Sequence, residues 1–176
     1  SHLTKVQIER KGLRALLPAF SNLVAKGLDV GLIIFGKTGD GVKSINQFCI
    51  NNNLVDHVTI VLDPPKTTKM EIFQKSDLLV NVSFMEGFGN ACLEAMSVGL
   101  PVAVSRFGAS PELVPDKNLI SMAVNSQCIQ EVLDWYIELS MPEKVELREK
   151  AFKRANENFG FMGRVEGFKT LLKDIS

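Results

Sequence analysis

The sequence predicts an α/β domain, a doubly wound, Rossmann-like parallel sheet with a helical C-terminal extension. Three observations carry that expectation. Short apolar runs at residues 32–35, 58–62, 78–82 and 102–105 are bounded by turn residues and alternate with stretches of helical spacing. The run 32–35 reads as a strand buried on both faces, and alternation of such runs with helices implies crossovers and a parallel sheet. Beyond about residue 125 the strand pattern stops and helical spacing continues alone.

The elements follow in order. Leu13, Leu16, Leu17, Phe20, Leu23 and Val24 define a helix with Pro18 inside it and Gly27 placed for a left-handed cap. Residues 32–35, between Gly31 and Gly36, form the first strand. Val42, Ile45, Phe48 and Cys49 mark a helix over 42–53, followed by the strand 58–62, a short helix 70–75 and the strand 78–82. A helix over 91–98 leads to the strand 102–105. Ser110-Pro111-Glu112 then reads as a helix start, with Ser as cap and Pro in the first turn. A last strand falls near 119–122. The tail holds one helix through Ile129, Val132, Leu133 and Ile137, a second after Pro142 through Val145, Ala151, Phe152 and Ala155, and a third over 162–174. No repeat or linker divides the chain, so residues 1–176 are expected to form one domain.

The opening departs from that class. Doubly wound domains usually begin with the strand at the sheet centre, which is uniformly apolar, whereas Lys5-Val6-Gln7-Ile8-Glu9 alternates. The chain is therefore expected to be part of a longer protein, with the first strand lying before Ser1.

Composition narrows the function classes. Twenty basic residues balance twenty acidic ones, which gives no electrostatic footprint for nucleic acid. Cys49, Cys92 and Cys128 are odd in number and scattered among apolar neighbours, which favours buried thiols in a reducing cytoplasm over a zinc site or disulfide framework. No run is long and apolar enough for a bilayer span, and the first ten residues are too polar for a signal peptide. Peripheral placement at an inner membrane surface stays compatible. The basic residues Lys144, Arg148, Lys150, Lys153 and Arg154 interleave with acids and read as a solvated helix. Trp135 and Tyr136 read as packing, His57 as a surface or capping residue, and the glycine-rich stretch 36–41 mainly as a turn, with a border of the donor or acceptor site as its second reading.

The chemistry concentrates after the strand 78–82, at the carboxyl edge where open α/β sheets bind ligands. There Ser83-Phe84-Met85-Glu86-Gly87-Phe88-Gly89-Asn90 precedes a helix starting near Asn90. Its free NH groups and positive dipole end suit an anion such as phosphate, and Gly87 and Gly89 permit close backbone approach. Glu86 and Glu94 flank this turn. With Asn90 as cap, the reciprocal capping position is Leu93, so Glu94 needs another partner. Two carboxylates repel phosphate but accept hydrogen bonds from hydroxyls on either side of it, which fits a sugar at one end and a ribose at the other.

Glu86-Gly87-Phe88-Gly89, Leu93-Glu94-Ala95-Met96, Gly99 with Pro101-Val102, and Gly108 with Pro111-Glu112 resemble the donor-binding signature of family 4 retaining glycosyltransferases of the GT-B fold. Lys11-Gly12, heading the first helix, is similar as well. The resemblance runs from about Arg10 to the end and implies the donor-binding, C-terminal half of such an enzyme. It implies a catalytic Glu86 holding hydroxyls of the donor sugar and Glu94 holding the ribose hydroxyls. The backbone of Gly87, Phe88, Gly89, Asn90 and Ala91 would bind the diphosphate, and Lys11 would neutralise it. The implied donor is a nucleotide sugar such as a UDP or GDP sugar, and the implied acceptor a glycan or glycolipid in polysaccharide or glycolipid synthesis. The implied partner domain is an N-terminal acceptor domain of the same protein. No cofactor or metal is expected, since Asp-x-Asp is absent and Lys11, the helix dipole and backbone NH groups would stabilise the leaving diphosphate. The family's arginine shortly before the lysine is replaced by His2 or Arg10, or is missing. Asp63-Pro64-Pro65 lacks the family's glycine in the base-recognition loop. The alternative reading is a nucleotide-sugar-binding module without transfer. A receiver-like regulatory domain fits less well, because Gly36-Lys37-Thr38 supplies no acids where one would be needed.

Overall fold

The computed structural model describes residues 2–86 and 89–160. It opens with helix α1 (Lys5–Arg10), whose cap Thr4 accepts a hydrogen bond from the Gln7 amide at 3.2 Å. The alternating Lys5–Arg10 segment is thus helical. Only Ile8 on it is buried, while Val6 faces solvent. Gly12, in the left-handed region at φ +66°, turns the chain into α2 (Leu13–Ala25), which buries Leu13, Leu16, Leu17, Phe20 and Leu23.

Strand β1 (Leu32–Gly36) pairs in parallel with β2 (Val58–Leu62), Leu32 opposite Val58 and Gly36 opposite Leu62, and α3 (Val42–Asn51) is the crossover. Helix α4 (Lys66–Lys75) leads to a second parallel sheet in the order β3 (Leu79–Asn81), β4 (Val102–Ser105), β5 (Ile120–Ser121). Helix α5 (Asn90–Met96) joins β3 to β4. Helix α6 (Ser126–Glu138) packs on α2, and α7 (Met141–Lys153), opened by a Ser140–Glu143 capping box, continues into a π-helical turn, Arg154–Asn158.

Several elements differ from the sequence reading. Helix α4 starts at Lys66, before the expected 70, because Lys66-Thr67-Thr68-Lys69 carries no apolar periodicity. Ser110–Glu112 is a single 3₁₀ turn with Ala109 as its cap. Ser110 lies inside it, and its buried hydroxyl lacks a hydrogen-bond partner. The chain continues at once into a second such turn, Lys117–Leu119, and β5, which leaves no length for a helix. The basic run is only partly a solvated face. Lys150 pairs with Glu146 at 2.7 Å, but Arg148 donates to the Ser76 carbonyl at 3.1 Å and Arg154 to the Leu113 carbonyl at 2.8 Å. His57 and Tyr136 behave as expected, with His57 Nδ1 3.1 Å from the Val30 carbonyl and the Tyr136 hydroxyl donating to the Asp77 carbonyl at 2.6 Å. The expected helix over 162–174 lies outside the described residues.

β1 is not buried on both faces as expected, since Ile33 is 41% exposed, whereas every residue of β4 is buried. The reason is position. β4 has a strand on each side, while β1 and β3 each keep one unpaired edge among the described residues. Successive carbonyls along a strand point to opposite edges. Asp63 N donates to Gly36 O at 2.8 Å on the β2 side, so Lys37 O, which accepts from Leu3 N at 2.7 Å, points to the other edge. His2 forms a parallel bridge with Lys37 there. Phe84 N donates to Arg10 O at 2.9 Å, which ties the end of α1 to the exit of β3. Residues 2–12 thus span from the open edge of β1 to the carboxyl end of β3.

Candidate functional site

The carboxyl end of β3 presents Ser83, buried, and then Glu86. Lys11, at the junction of α1 and α2, reaches across to form an ion pair with Glu86 Oε2, and the Ser83 hydroxyl donates to the same oxygen at 3.3 Å. Arg10 Nη1 donates to the Met85 carbonyl at 2.8 Å, so two cations flank the loop. Of the two residues considered for the missing arginine, Arg10 lies beside Glu86, while His2 is exposed next to Lys37.

Partial burial pushes the Glu86 carboxyl up, but the Lys11 contact, the Ser83 hydroxyl and the Arg10 charge together outweigh it and hold the pKa below the ordinary value. A carboxyl with a folded pKa below its unfolded one stabilises fully above the unfolded value and loses that contribution as pH falls through the folded one. Glu86→Gln should therefore flatten the acid limb of the stability–pH curve in chemical denaturation. An unchanged limb would show that the ion pair contributes nothing.

The loop after β4 braces this segment from the other side. A Cβ on Gly108 would fall 2.1 Å from the Glu86 carbonyl oxygen, so only glycine lets the two backbones meet. The Ser105 hydroxyl donates to the Ser83 carbonyl, which fixes the end of β3 to the end of β4.

Gly89, at φ +72°, is the cap of α5, and Asn90 is the first helical residue rather than the cap. The reciprocal capping position is consequently Cys92, and Glu94 still has no capping role. Gly89 is buried, and a Cβ on it would lie 3.2 Å from Ser110 Oγ and 3.4 Å from Cys92 Sγ. The amides of Asn90 and Ala91 open the helix, where amides have no acceptor within it. Burial raises the Cys92 thiol to about 11, with Asn81 donating to its sulfur at 3.0 Å, so it is a packed, unreactive thiol. Gly87 and Phe88 lie outside the described residues.

Glu94 sits in α5 and forms an ion pair with Lys69 of α4. The structure thus brings Lys11 to Glu86 and Lys69 to Glu94, on either side of the turn that opens α5. Ser83, Lys69 and Gly108's brace on Glu86 escaped the sequence reading as site components. Lys69 had a faint signal in its spacing to Phe73, one helical turn on. The loop at 63–65 is tied to the 36–41 turn, since the Thr38 amide donates to the Asp63 carboxylate at 3.2 Å and its hydroxyl donates to the same oxygen. Those hydrogen bonds hold the Asp63 carboxyl below its ordinary range. Among the described residues no cluster of three or more His, Cys, Asp or Glu is placed to hold a metal ion.

The family model described as glycosyl transferases group 1 matches residues 5–158. The chain belongs to that family. It is 27% identical over 172 residues to the N-acetyl-alpha-D-glucosaminyl L-malate synthase of Bacillus anthracis, a match covering 94% of this chain and 42% of that protein. Its fold resembles that of Anabaena HepE crystallised with UDP and glucose, at TM-score 0.78 and 22% identity over 94% of this chain and 46% of that one. It also resembles the C-terminal domain of a glycosyl transferase group 1 protein from Francisella tularensis, at TM-score 0.76 and 20% identity over 87% and 82% of the two chains. The group 1 chain thus spans less than half the length of the curated relative, and its doubly wound α/β architecture is that of solved glycosyltransferases.

Proposed function

We propose that this group 1 glycosyltransferase chain is the donor-binding, C-terminal half of a family 4 retaining enzyme of the GT-B fold. It would transfer a hexosyl unit from a UDP or GDP sugar to a hydroxyl of a glycan or glycolipid acceptor. The observation that carries the reading is the pair of lysine-matched carboxylates, Glu86 and Glu94, set on either side of the glycine turn opening α5. In this reading Glu94 accepts the ribose hydroxyls and Glu86 those of the donor sugar. The amides of Phe88, Gly89, Asn90 and Ala91, together with Lys11, stabilise the leaving diphosphate without a divalent ion. The similarity to a HepE structure holding UDP and glucose supports the donor class. The similarity to a Francisella C-terminal domain supports the placement. We also propose that the open edges of β1 and β3 flank a parallel strand of the longer protein, running into His2, with an acceptor domain beyond it.

Calorimetry with bare UDP or GDP in the presence of chelator tests the site. Glu94→Ala should cost about 1 to 3 kcal/mol of binding, because hydroxyl bonds to a charged acceptor go unmade. Glu86→Ala should leave affinity for the bare diphosphate nearly unchanged and lower turnover instead. Equal losses in both variants would reverse or remove the assignment, and binding abolished by chelator would refute the metal-free account.

A further inference from the structure

We infer that Lys69 of α4 is the positioning residue for Glu94, holding its carboxylate in one orientation while leaving acceptor sites for a ribose diol. The inference rests on the reading of Glu94 as the ribose acceptor. Lys69 Nζ contacts Glu94 Oε2, and among the described residues this is the one hydrogen bond to that carboxylate. The pair is partly enclosed, with side chains 24% and 38% exposed.

Lys69 is not a loose surface lysine. Its ammonium lies 6.0 Å from the centroid of the Phe73 ring, and Phe73, one turn further along α4, is fully buried. That ring is held edge-on by Phe35 of β1 at 5.7 Å. The cation is therefore placed by a helix whose next turn is anchored in the core.

A carboxylate offers about four lone-pair sites on its two oxygens, and the lysine takes one, on Oε2. Oε1 and the second site on Oε2 remain for two vicinal hydroxyls. Without Lys69 the glutamate would sample other rotamers, and the cost of fixing it would fall on the ligand. The arrangement repeats at the other end of the turn, where Lys11 holds Glu86 Oε2.

The test compares UDP with 2′,3′-dideoxy-UDP by calorimetry on the intact protein, or GDP with its dideoxy analogue if GDP is the tighter ligand. Lys69→Met should weaken UDP about tenfold and leave the dideoxy analogue unchanged. Lys69→Arg should restore most of the loss. Equal weakening of both ligands would mean that Lys69 serves the phosphates, and would overturn the inference. A lowered melting temperature with an unchanged UDP-to-dideoxy ratio would assign Lys69 a merely structural role and overturn it as well. Glu94→Gln, run alongside, separates the two layers. If it too leaves the ratio unchanged, the ribose reading itself is wrong. If it collapses the ratio while Lys69→Met does not, only the role of Lys69 falls.

Discussion

Gly12→Ala should lower the unfolding midpoint by roughly 10 °C, whereas Gly27→Ala should lower it by only about 3 °C. Both glycines have left-handed backbones, φ +66° and +78°, so both substitutions carry the strain of an L residue there, about 1 to 2 kcal/mol. Loss of unfolded-state entropy offsets part of it, by about 0.4 to 1 kcal/mol. They differ in surroundings. A Cβ on Gly27 meets nothing within 4 Å, while a Cβ on Gly12 would fall 2.0 Å from the Val82 carbonyl oxygen and 2.7 Å from Val124 Cγ1. The first of these is backbone at the end of β3 and cannot rotate away, which adds about 1 to 3 kcal/mol of overpacking. For a chain of this size each kcal/mol moves the midpoint by about 2 to 4 °C. Differential scanning calorimetry decides. Equal shifts in the two variants would show that α2 and β3 separate without cost. The displacement also bears on the site, because Val82 leads directly into Ser83 and Glu86 while Lys11 adjoins Gly12.

How far the sequence spoke depended on the range of the interactions. β4 was legible to the residue, since Val102-Ala103-Val104-Ser105 is flanked by strands and buried throughout. β1 was legible as a strand but not as a half-open one, because exposure of Ile33 depends on which edges are paired. The start of α4 was hidden by a polar first turn whose Lys69 is turned toward Glu94. In the site, Glu86, Glu94 and the glycine turn are local in sequence and could be read as a motif. Their partners come from elsewhere. Lys11 is 75 positions from Glu86 and Lys69 is 25 from Glu94, so only the tertiary fold, which sets the α1–α2 junction beside the loop after β3 and Lys69 of α4 beside Glu94 of α5, reveals that each carboxylate has its own cation.

The largest effect should appear in transfer itself. Supplied with a nucleotide sugar and an acceptor, the 176-residue chain should bind the nucleotide yet transfer sugar at least about 10⁵-fold more slowly than the longer protein proposed above. In a two-domain GT-B arrangement the donor lies on one doubly wound domain and the acceptor in a cleft against the other. This chain spans 42% of its Bacillus anthracis relative, and the described residues matched by the family model hold the two small parallel sheets β1–β2 and β3–β4–β5 of one α/β unit. With no facing domain, the acceptor hydroxyl is not held against the anomeric carbon. The orientation it would have gained is worth roughly 7 to 11 kcal/mol of barrier. Slow hydrolysis of the donor by water should persist, since Glu86, Lys11 and the α5 amides proposed to engage the donor all lie within the chain. Chromatographic separation of free sugar from glycosylated acceptor distinguishes the two fates. Transfer within tenfold of the longer protein's rate would overturn the two-domain reading and require an acceptor site within this domain, beside the 36–41 turn or the loop at 106–110.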